Sequence, residues 1–209
     1  HNPALPREEL PEFYRRLILA TNIERQNKIA IMLIMLVFVR SNELRGGQWQ
    51  EVDFKNKRWI IPAERMKHEK MKPKPALCVP LSDWAIELLQ ELHTLTGHSR
   101  FMFPSRTNVN RHISENTLGK IINEKLGYKG KATPHGFRAV ASSLLYENNF
   151  NGGAIEIQLA HVEEDKTKDS YAYMAEYMPQ RIEFMQWYSD YLREQYNQAL
   201  QMIQESKTD

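Results

Sequence analysis

Apolar residues recur every three or four positions in two stretches near the start of the chain. Residues 7–20 place them on one helix face, which predicts an amphipathic helix. Residues 24–39 predict a second helix, in which every position from Ile29 to Val39 is apolar. A helix that is apolar on all sides belongs in the centre of a core, and these eleven residues are too few to cross a bilayer.

The pattern changes after Gly46 and Gly47, where short apolar segments replace the helical spacing. Residues 48–54, 58–62 and 76–81 are rich in Trp, Val, Ile and Leu, and turn-forming or charged residues separate them. These segments predict a three-stranded antiparallel sheet. A long basic loop joins its second and third strands.

Helical spacing returns after the sheet. Ser82 is an N-cap candidate for a helix over residues 83–96. Further helices are predicted at residues 114–126, at residues 154–160 and from Pro179 onwards. The predicted fold is therefore α+β and mainly helical, with a small three-stranded antiparallel sheet.

The length of the chain fits one large domain, or one domain with an extension. We predict a domain over residues 1–181, in which residues 1–6 are a linker remnant, and a helical tail over residues 182–209. The apolar stripe of the tail could pack on its own domain or on a neighbouring molecule. The sequence leaves both arrangements open.

Composition and charge are those of an ordinary globular protein. Hydrophobic residues make up 42% of the chain and charged residues 26%, and the net charge of +2 is a weak sign of a nucleic-acid partner. The single cysteine, Cys78, excludes an internal disulfide and indicates a reducing compartment. Its apolar surroundings in the sequence favour a buried structural thiol.

Basic residues cluster between positions 55 and 75. Eight lysines and arginines lie there, against two acidic residues. Such a cluster attracts phosphates whatever the base sequence. It fits equally well with a solvated hairpin whose lysines discourage pairing at a sheet edge.

A helix start after residue 132 carries two candidate phosphate ligands. Thr133 is an N-cap candidate and Pro134 suits the first helical position, so His135 and Arg138 are predicted in the first turns. Residues three apart share a helix face, and the helix N-terminus favours an anion. Gly136 would leave room for a nucleic-acid backbone. Alone, the pattern is far more often an ordinary helix start.

Arg40 and Lys67 are two further candidates. Arg40 ends the long apolar run, where a charge must emerge from the core or be paired. It could clamp a phosphate, with Glu43 fixing its position, or it could form an Arg–Glu pair that closes a helix. Lys67 follows the second strand and could protonate a leaving alkoxide, with Lys70 and Lys72 as rivals.

A histidine and a group of tyrosines follow the short helix at residues 154–160. At a helix end, His161 would usually be a cap or a core residue. Tyr171, Tyr173 and Tyr177 usually indicate aromatic packing, although a tyrosine can attack phosphorus once arginines neutralise the phosphate. The seven histidines show no zinc-like spacing, and no Gly-rich phosphate loop is present. A metal enzyme and a nucleotide hydrolase are therefore disfavoured.

The order and spacing of several short motifs resemble one family. The motifs are Arg40-Ser41-Asn42-Glu43-Leu44-Arg45-Gly46 followed by Trp49, Trp59-Ile60-Ile61-Pro62-Ala63-Glu64-Arg65-Met66-Lys67, Val79-Pro80-Leu81-Ser82, Phe103-Pro104-Ser105, Thr133-Pro134-His135-Gly136-Phe137-Arg138, Gln158-Leu159-Ala160-His161 and Met185-Gln186-Trp187. Over almost its whole length, the chain resembles the catalytic domain of tyrosine recombinases, especially the prophage and genomic-island integrases.

The resemblance implies a role for each candidate. Arg40 and Arg138 would bind the non-bridging oxygens of the scissile phosphate and stabilise the transition state. Lys67 would give a proton to the leaving 5′-oxygen, and His135 would assist acid–base transfer. His161 would hydrogen-bond the phosphate.

The nucleophile implied by the resemblance is Tyr171, which would become linked to a 3′-phosphate. It lies ten residues beyond His161, a usual spacing in the family. Alignment backwards from Met185-Gln186-Trp187 falls between Tyr171 and Tyr173, so Tyr173 is the alternative nucleophile. Glu43 would support the site. The side chains expected to contact DNA are Lys70, Lys72 and Arg65.

The implied activity is site-specific DNA recombination without a metal or a cofactor, which would integrate or excise a prophage or genomic island. The implied partners are double-stranded DNA at attachment sites and three further copies of the chain, in a tetramer that assembles on DNA from monomers. Accessory DNA-bending proteins could take part, no membrane is involved, and the expected compartment is the bacterial cytoplasm. The alternatives are an inactive DNA-binding relic or accessory protein of the same fold, or a topoisomerase IB-like relaxing enzyme.

Overall fold

The apolar helix predicted from residues 24–39 lies at the centre of the core. The computed structural model describes residues 3–66, 75–161, 172 and 175–208. Helix α2 is Arg25–Val37, and every residue from Ile29 to Val37 is buried. It ends at Phe38, whose left-handed backbone (φ 37°) turns the chain towards Arg40. The prediction of a central helix is confirmed.

Seven further helices have both ends in the described part of the chain, and at least five of them pack against α2. In chain order, the helices are α1 (Leu10–Leu19), α2 (Arg25–Val37), α3 (Ser41–Arg45), α4 (Asp83–Thr96), α5 (Thr117–Lys120), α6 (Gly136–Glu147), α7 (Gly152–Gln158) and α8 (Met178–Glu205). The helix predicted at residues 114–126 begins at Thr117 and continues after α5 as a π-helical turn, Ile121–Lys125. Ser82 caps α4 as predicted, because its hydroxyl accepts a hydrogen bond from the backbone of Ala85 (3.2 Å).

The three predicted strands form one antiparallel sheet in the order β1 (Val52–Asp53), β2 (Arg58–Ile61) and β3 (Leu77–Pro80). The first is shorter than predicted, because Trp49–Glu51 forms a 3₁₀ turn. In that turn, the carboxylate of Glu51 accepts the indole N–H of Trp59 (2.9 Å). Burial of this carboxylate against β2 therefore replaces the first half of the predicted strand with a turn.

The start of α6 differs from the prediction by two residues. The helix begins at Gly136, so Pro134 and His135 lie in the turn before it. The hydroxyl of Thr133 still accepts the backbone N–H of Gly136 (2.9 Å), as a capping residue does. Arg138 lies in the first turn, as predicted.

The segment around Leu5 and the helix that begins at Met178 both pack on the domain. Leu5 is only 2% exposed, so the segment predicted as a linker remnant contributes to the core. Helix α8 is continuous across the predicted division between residues 181 and 182, and Phe184, Tyr188 and Leu192 are buried. It packs against α1, α2, α4, α6, α7 and β3. The tail helix therefore packs on its own domain. None of the helices in the described ranges is long and apolar enough to cross a membrane.

Candidate active site

Arg138 connects the two segments that carry Arg40 and His161. Its side chain is buried (5% exposed), and its two terminal nitrogens donate to the carbonyl oxygens of Phe38 and Leu159, each at 2.7 Å. Phe38 lies two residues before Arg40, and Leu159 lies two residues before His161. One guanidinium on α6 therefore holds both segments at a single place.

Charge and burial act together on Arg138. Burial and the neighbouring charge of Arg40 lower the pKa of Arg138 to about 10, although the carboxylates of Glu43 and Glu156 oppose the change. The group therefore remains protonated at neutral pH. Its described hydrogen bonds use two of the five N–H groups of a guanidinium, which leaves donors for an anion.

Arg40 and Glu43 form the ion pair that the sequence suggested, but the pair begins a helix instead of closing one. Arg40 is the N-cap of α3, and Glu43 accepts both its backbone N–H (2.7 Å) and its guanidinium (3.2 Å). The side chain of Glu43 is 1% exposed and that of Arg40 is 15% exposed. The carboxylate therefore orients a guanidinium that keeps a limited opening to solvent.

His161 follows the last turn of α7, where the helix ends in a Schellman motif. Ala160 has a left-handed backbone (φ 52°), and its N–H donates to the carbonyl of Ile157 (2.9 Å). The N–H of His161 donates to the carbonyl of Glu156 (3.0 Å), and its ring Nδ1 lies 2.7 Å from a carboxylate oxygen of the same residue. The imidazole is exposed at the end of the helix, and two hydrogen bonds fix its position.

His135 is exposed and lines an open cleft of about 360 Å³. The cleft lies between the start of α3, helix α5 and the turn before α6. Ser41 lines it and directly follows Arg40, so His135 and Arg40 lie at the same region of the surface. Lys120, which the sequence patterns did not single out, adds a positive charge to the cleft wall.

Gly136 has a different role from the one predicted. A Cβ atom at this position would lie 2.0 Å from the carbonyl oxygen of Pro3, a separation that no side chain tolerates. The hydroxyl of Thr133 also donates to that oxygen (3.3 Å). The glycine is needed because the N-terminal segment crosses the start of α6. The described contacts give no support to a nucleic-acid backbone in that space.

Arg65, predicted as a DNA contact, is bound inside the domain. Its guanidinium donates to both carboxylate oxygens of Glu51 (2.7 Å each) and to the backbone carbonyl of Glu43 (3.1 Å). Its side chain is 17% exposed and that of Glu51 is 5% exposed. Arg65 therefore supports α3 from inside the domain, and its predicted contact with DNA stays a prediction.

The other predicted site residues lie outside the described ranges, and their roles stay predictions. They are Lys67, Lys70, Lys72, Tyr171 and Tyr173. Within the ranges that the structure describes, no group of three or more His, Cys, Asp and Glu side chains is placed to hold a metal ion.

Two residues near the site, Glu156 and Arg181, were not identified from the sequence patterns. Glu156 accepts from both His161 and the hydroxyl of Tyr146 (2.8 Å). Arg181 on α8 is fully buried and donates to the side chain of Gln158 (2.9 Å) and to the carbonyl of Cys78. One signal in the sequence could have identified Arg181. It lies three residues before Phe184, on the apolar face of the tail helix.

Three comparisons place these features among known proteins. The model of the phage integrase family matches residues 5–177. The integrase of Enterobacteria phage P4 is 36% identical, over 99% of this chain and 49% of its own length. Two solved structures share the fold. The integrase from mycobacterium phage Brujita has a TM-score of 0.63 at 16% identity, over 95% of this chain and 65% of its own. The Tn1549 transposon integrase, in complex with circular intermediate DNA, has a TM-score of 0.60 at 14% identity, over 83% and 61%.

The matches to curated relatives cover nearly all of this chain but only part of each relative. The chain spans about half the length of the curated relatives it matches. The family model covers most of the chain, and Arg40, Arg138 and His161 all fall inside the matched range. On this basis, the chain belongs to the phage integrase family and has the tyrosine recombinase fold.

Proposed function

We propose that this chain is the catalytic part of a site-specific DNA recombinase that cuts and rejoins DNA through a covalent 3′-phosphotyrosine. The observation that carries the proposal is the position of Arg138. It binds the carbonyls of Phe38 and Leu159, which lie two residues before Arg40 and His161, and this supports a shared site for the two arginines and the histidine. The matched relatives are named integrases, which favours this function over an inactive relic or a relaxing enzyme.

The proposed reaction is a transesterification at phosphorus. The phenol oxygen of Tyr171 attacks, and its proton passes to His135. The bond from phosphorus to the 5′-oxygen breaks, and Lys67 protonates that oxygen. Arg40 and Arg138 stabilise the charge on the non-bridging oxygens. Attack by a 5′-hydroxyl reverses the step, so rejoining needs no external energy source.

The proposed partner is double-stranded DNA at an attachment site. The solved complex of the Tn1549 transposon integrase with DNA supports this assignment, because the two chains share a fold. We further propose assembly into a tetramer on DNA from monomers, inside the bacterial cytoplasm. Lys70 and Lys72 would supply phosphate contacts, since the basic segment that contains them favours a polyanion.

Covalent trapping tests the proposal. The protein is incubated with nicked duplexes whose sequence is randomised around the nick, so that the cleaved end diffuses away and the protein stays attached. We expect a denaturation-resistant adduct, and mass spectrometry of its peptide should place the DNA on Tyr171.

Matched tyrosine variants decide the nucleophile. Tyr171→Phe should abolish attachment and leave DNA affinity unchanged, while Tyr173→Phe should attach normally. Attachment that survives in Tyr171→Phe and is lost in Tyr173→Phe would reassign the nucleophile. A wild-type protein that forms no adduct would refute the proposed function. Relaxation of supercoiled plasmids that lack the DNA sequence recovered in the adduct would instead favour a relaxing enzyme.

A further inference from the structure

Glu156 connects His161 to a second helix. One of its carboxylate oxygens accepts the hydroxyl of Tyr146 on α6 (2.8 Å), and the other lies 2.7 Å from Nδ1 of His161. The backbone carbonyl of Glu156 also accepts the N–H of His161 (3.0 Å). The imidazole is thus held through its ring and through its main chain by the same residue.

The protonation of Glu156 fixes the direction of the ring contact. Burial raises the pKa of Glu156, but the hydrogen bonds from Tyr146 and His161 outweigh it, and the net change is downward. The carboxyl group is therefore ionised at neutral pH and can only accept hydrogen bonds. It follows that the proton lies on Nδ1 of His161, and that Nε2 is on the ring edge that faces away from Glu156.

The carboxylate of Glu156 also interacts electrostatically with Arg138. The charge of Glu156 raises the pKa of Arg138 against the larger lowering by burial, so the two groups interact. A carboxylate that holds one ring nitrogen of a histidine fixes both the tautomer and the ring orientation. The other nitrogen is then presented in one direction.

We propose that Glu156 is a positioning residue for His161, which holds Nδ1–H and presents Nε2 to the phosphodiester bound by Arg40 and Arg138. Tyr146 in turn holds Glu156. This inference rests on the proposed function. Nε2 donates to a phosphate oxygen when the ring carries two protons, and accepts from a hydroxyl when the ring carries one.

The exposure of the pair separates positioning from a structural role. The side chains of His161 and Glu156 are 53% and 44% exposed, and ion pairs of that kind contribute little to stability. Removal of the carboxylate should therefore leave the midpoint of urea unfolding unchanged. A loss of reaction rate in a protein of unchanged stability and unchanged DNA affinity is the mark of positioning.

The first experiment measures the single-turnover rate of covalent attachment to the nicked duplex selected from the randomised pool. Glu156→Ala should slow attachment about tenfold or more, by analogy with the loss of a partner that orients a metal-bound histidine. Glu156→Gln should recover part of the rate, because its amide oxygen can still accept from Nδ1. Glu147→Ala is the matched control, since Glu147 is an exposed carboxylate that binds Arg7 and should leave the rate unchanged.

A double-mutant comparison tests whether Glu156 acts through His161. In a His161→Ala background, Glu156→Ala should cause no further loss of rate. Additive losses would overturn the proposal, as would a wild-type rate in Glu156→Ala.

Nitrogen NMR of the His161 ring gives a result that does not depend on DNA cleavage. The wild-type protein should carry the proton on Nδ1, and Glu156→Ala should lose that preference. A wild-type ring protonated mainly on Nε2 would overturn the inference. If the wild-type protein forms no adduct, the proposed function fails, and the NMR result still decides how Glu156 holds His161.

Discussion

Arg138 illustrates how one side chain can organise a site before any substrate is bound. A buried guanidinium is costly unless hydrogen bonds satisfy it, and here two backbone carbonyls from distant segments do so. The planar fork of arginine reaches both carbonyls at once, whereas the ammonium of lysine is a compact point charge. Arg138 therefore stabilises the fold in addition to its proposed role in binding phosphate. A lysine at this position should replace its two hydrogen bonds to backbone carbonyls poorly.

Arg138→Lys should lower the free energy of unfolding by about 1–3 kcal/mol, because at least one buried carbonyl loses its donor. The measurement is urea unfolding followed by tryptophan fluorescence. Arg111→Lys is the control, since Arg111 is exposed and its change should stay within about 0.5 kcal/mol. Equal stability of Arg138→Lys and the wild-type protein would show that the two carbonyl contacts do not hold the segments together.

Helix α3 shows how arginines stabilise an element that is too short to persist alone. It has five residues, fewer than an isolated helix needs. Arg40 and Glu43 pair at its start, and Arg45 donates to the carbonyl of Ile113 (2.8 Å). Arg65 donates to the carbonyl of Glu43 (3.1 Å). Because Arg40 is the N-cap of α3, these contacts also fix the position of a predicted phosphate ligand.

Arg65→Ala should lower the free energy of unfolding by about 3 kcal/mol, since it leaves the buried carboxylate of Glu51 without its positively charged partner. DNA affinity of the folded variant, measured against salt concentration, should keep the wild-type slope. Lys72→Ala is the comparison, because a lost phosphate contact should reduce that slope by about one. A reduced slope in Arg65→Ala would instead assign a DNA contact to Arg65.

The elements that could be predicted from the sequence are those with a local cause. The periodicity of α2 and the cap of α4 lie within a few adjacent residues, so the sequence displays them directly. The turn at Trp49–Glu51 could not be predicted, because it depends on the contacts of Glu51 with Trp59 and Arg65, eight and fourteen residues away.

In the candidate site as well, some features could be predicted from the sequence and others could not. Arg40, Arg138 and His161 could be recognised as candidates from the order and spacing of short sequence motifs. The role of Gly136 could not, since it depends on Pro3, which lies 133 positions away in the sequence. Glu156 was missed because its partner Tyr146 belongs to another helix, and no spacing along the chain marks that contact. Charge patterns show where arginines are, but not which carboxylates lie buried beside them.

At the scale of the whole molecule, α8 completes the core and is not an appendage. Tyr196 on α8 packs against Tyr14 on α1 and Trp84 on α4, with ring centroids 5.5 Å and 5.3 Å away. Arg181 binds Gln158, which lies two residues after Glu156 on α7. The tail is therefore coupled both to the core and to the helix that carries His161.

Truncation after Arg181 should prevent cooperative folding of the domain. The cut removes Phe184, Tyr188 and Leu192, and loss of a single large core side chain costs about 2–5 kcal/mol against a total stability of about 5–15 kcal/mol. Near-ultraviolet circular dichroism and urea unfolding of the truncated chain measure the effect. Truncation after Glu205, where α8 ends, is the control and should unfold like the full chain. If the chain cut after Arg181 kept the wild-type midpoint, the packing of α8 would not stabilise the domain, and the tail would be free to dock on a neighbouring molecule.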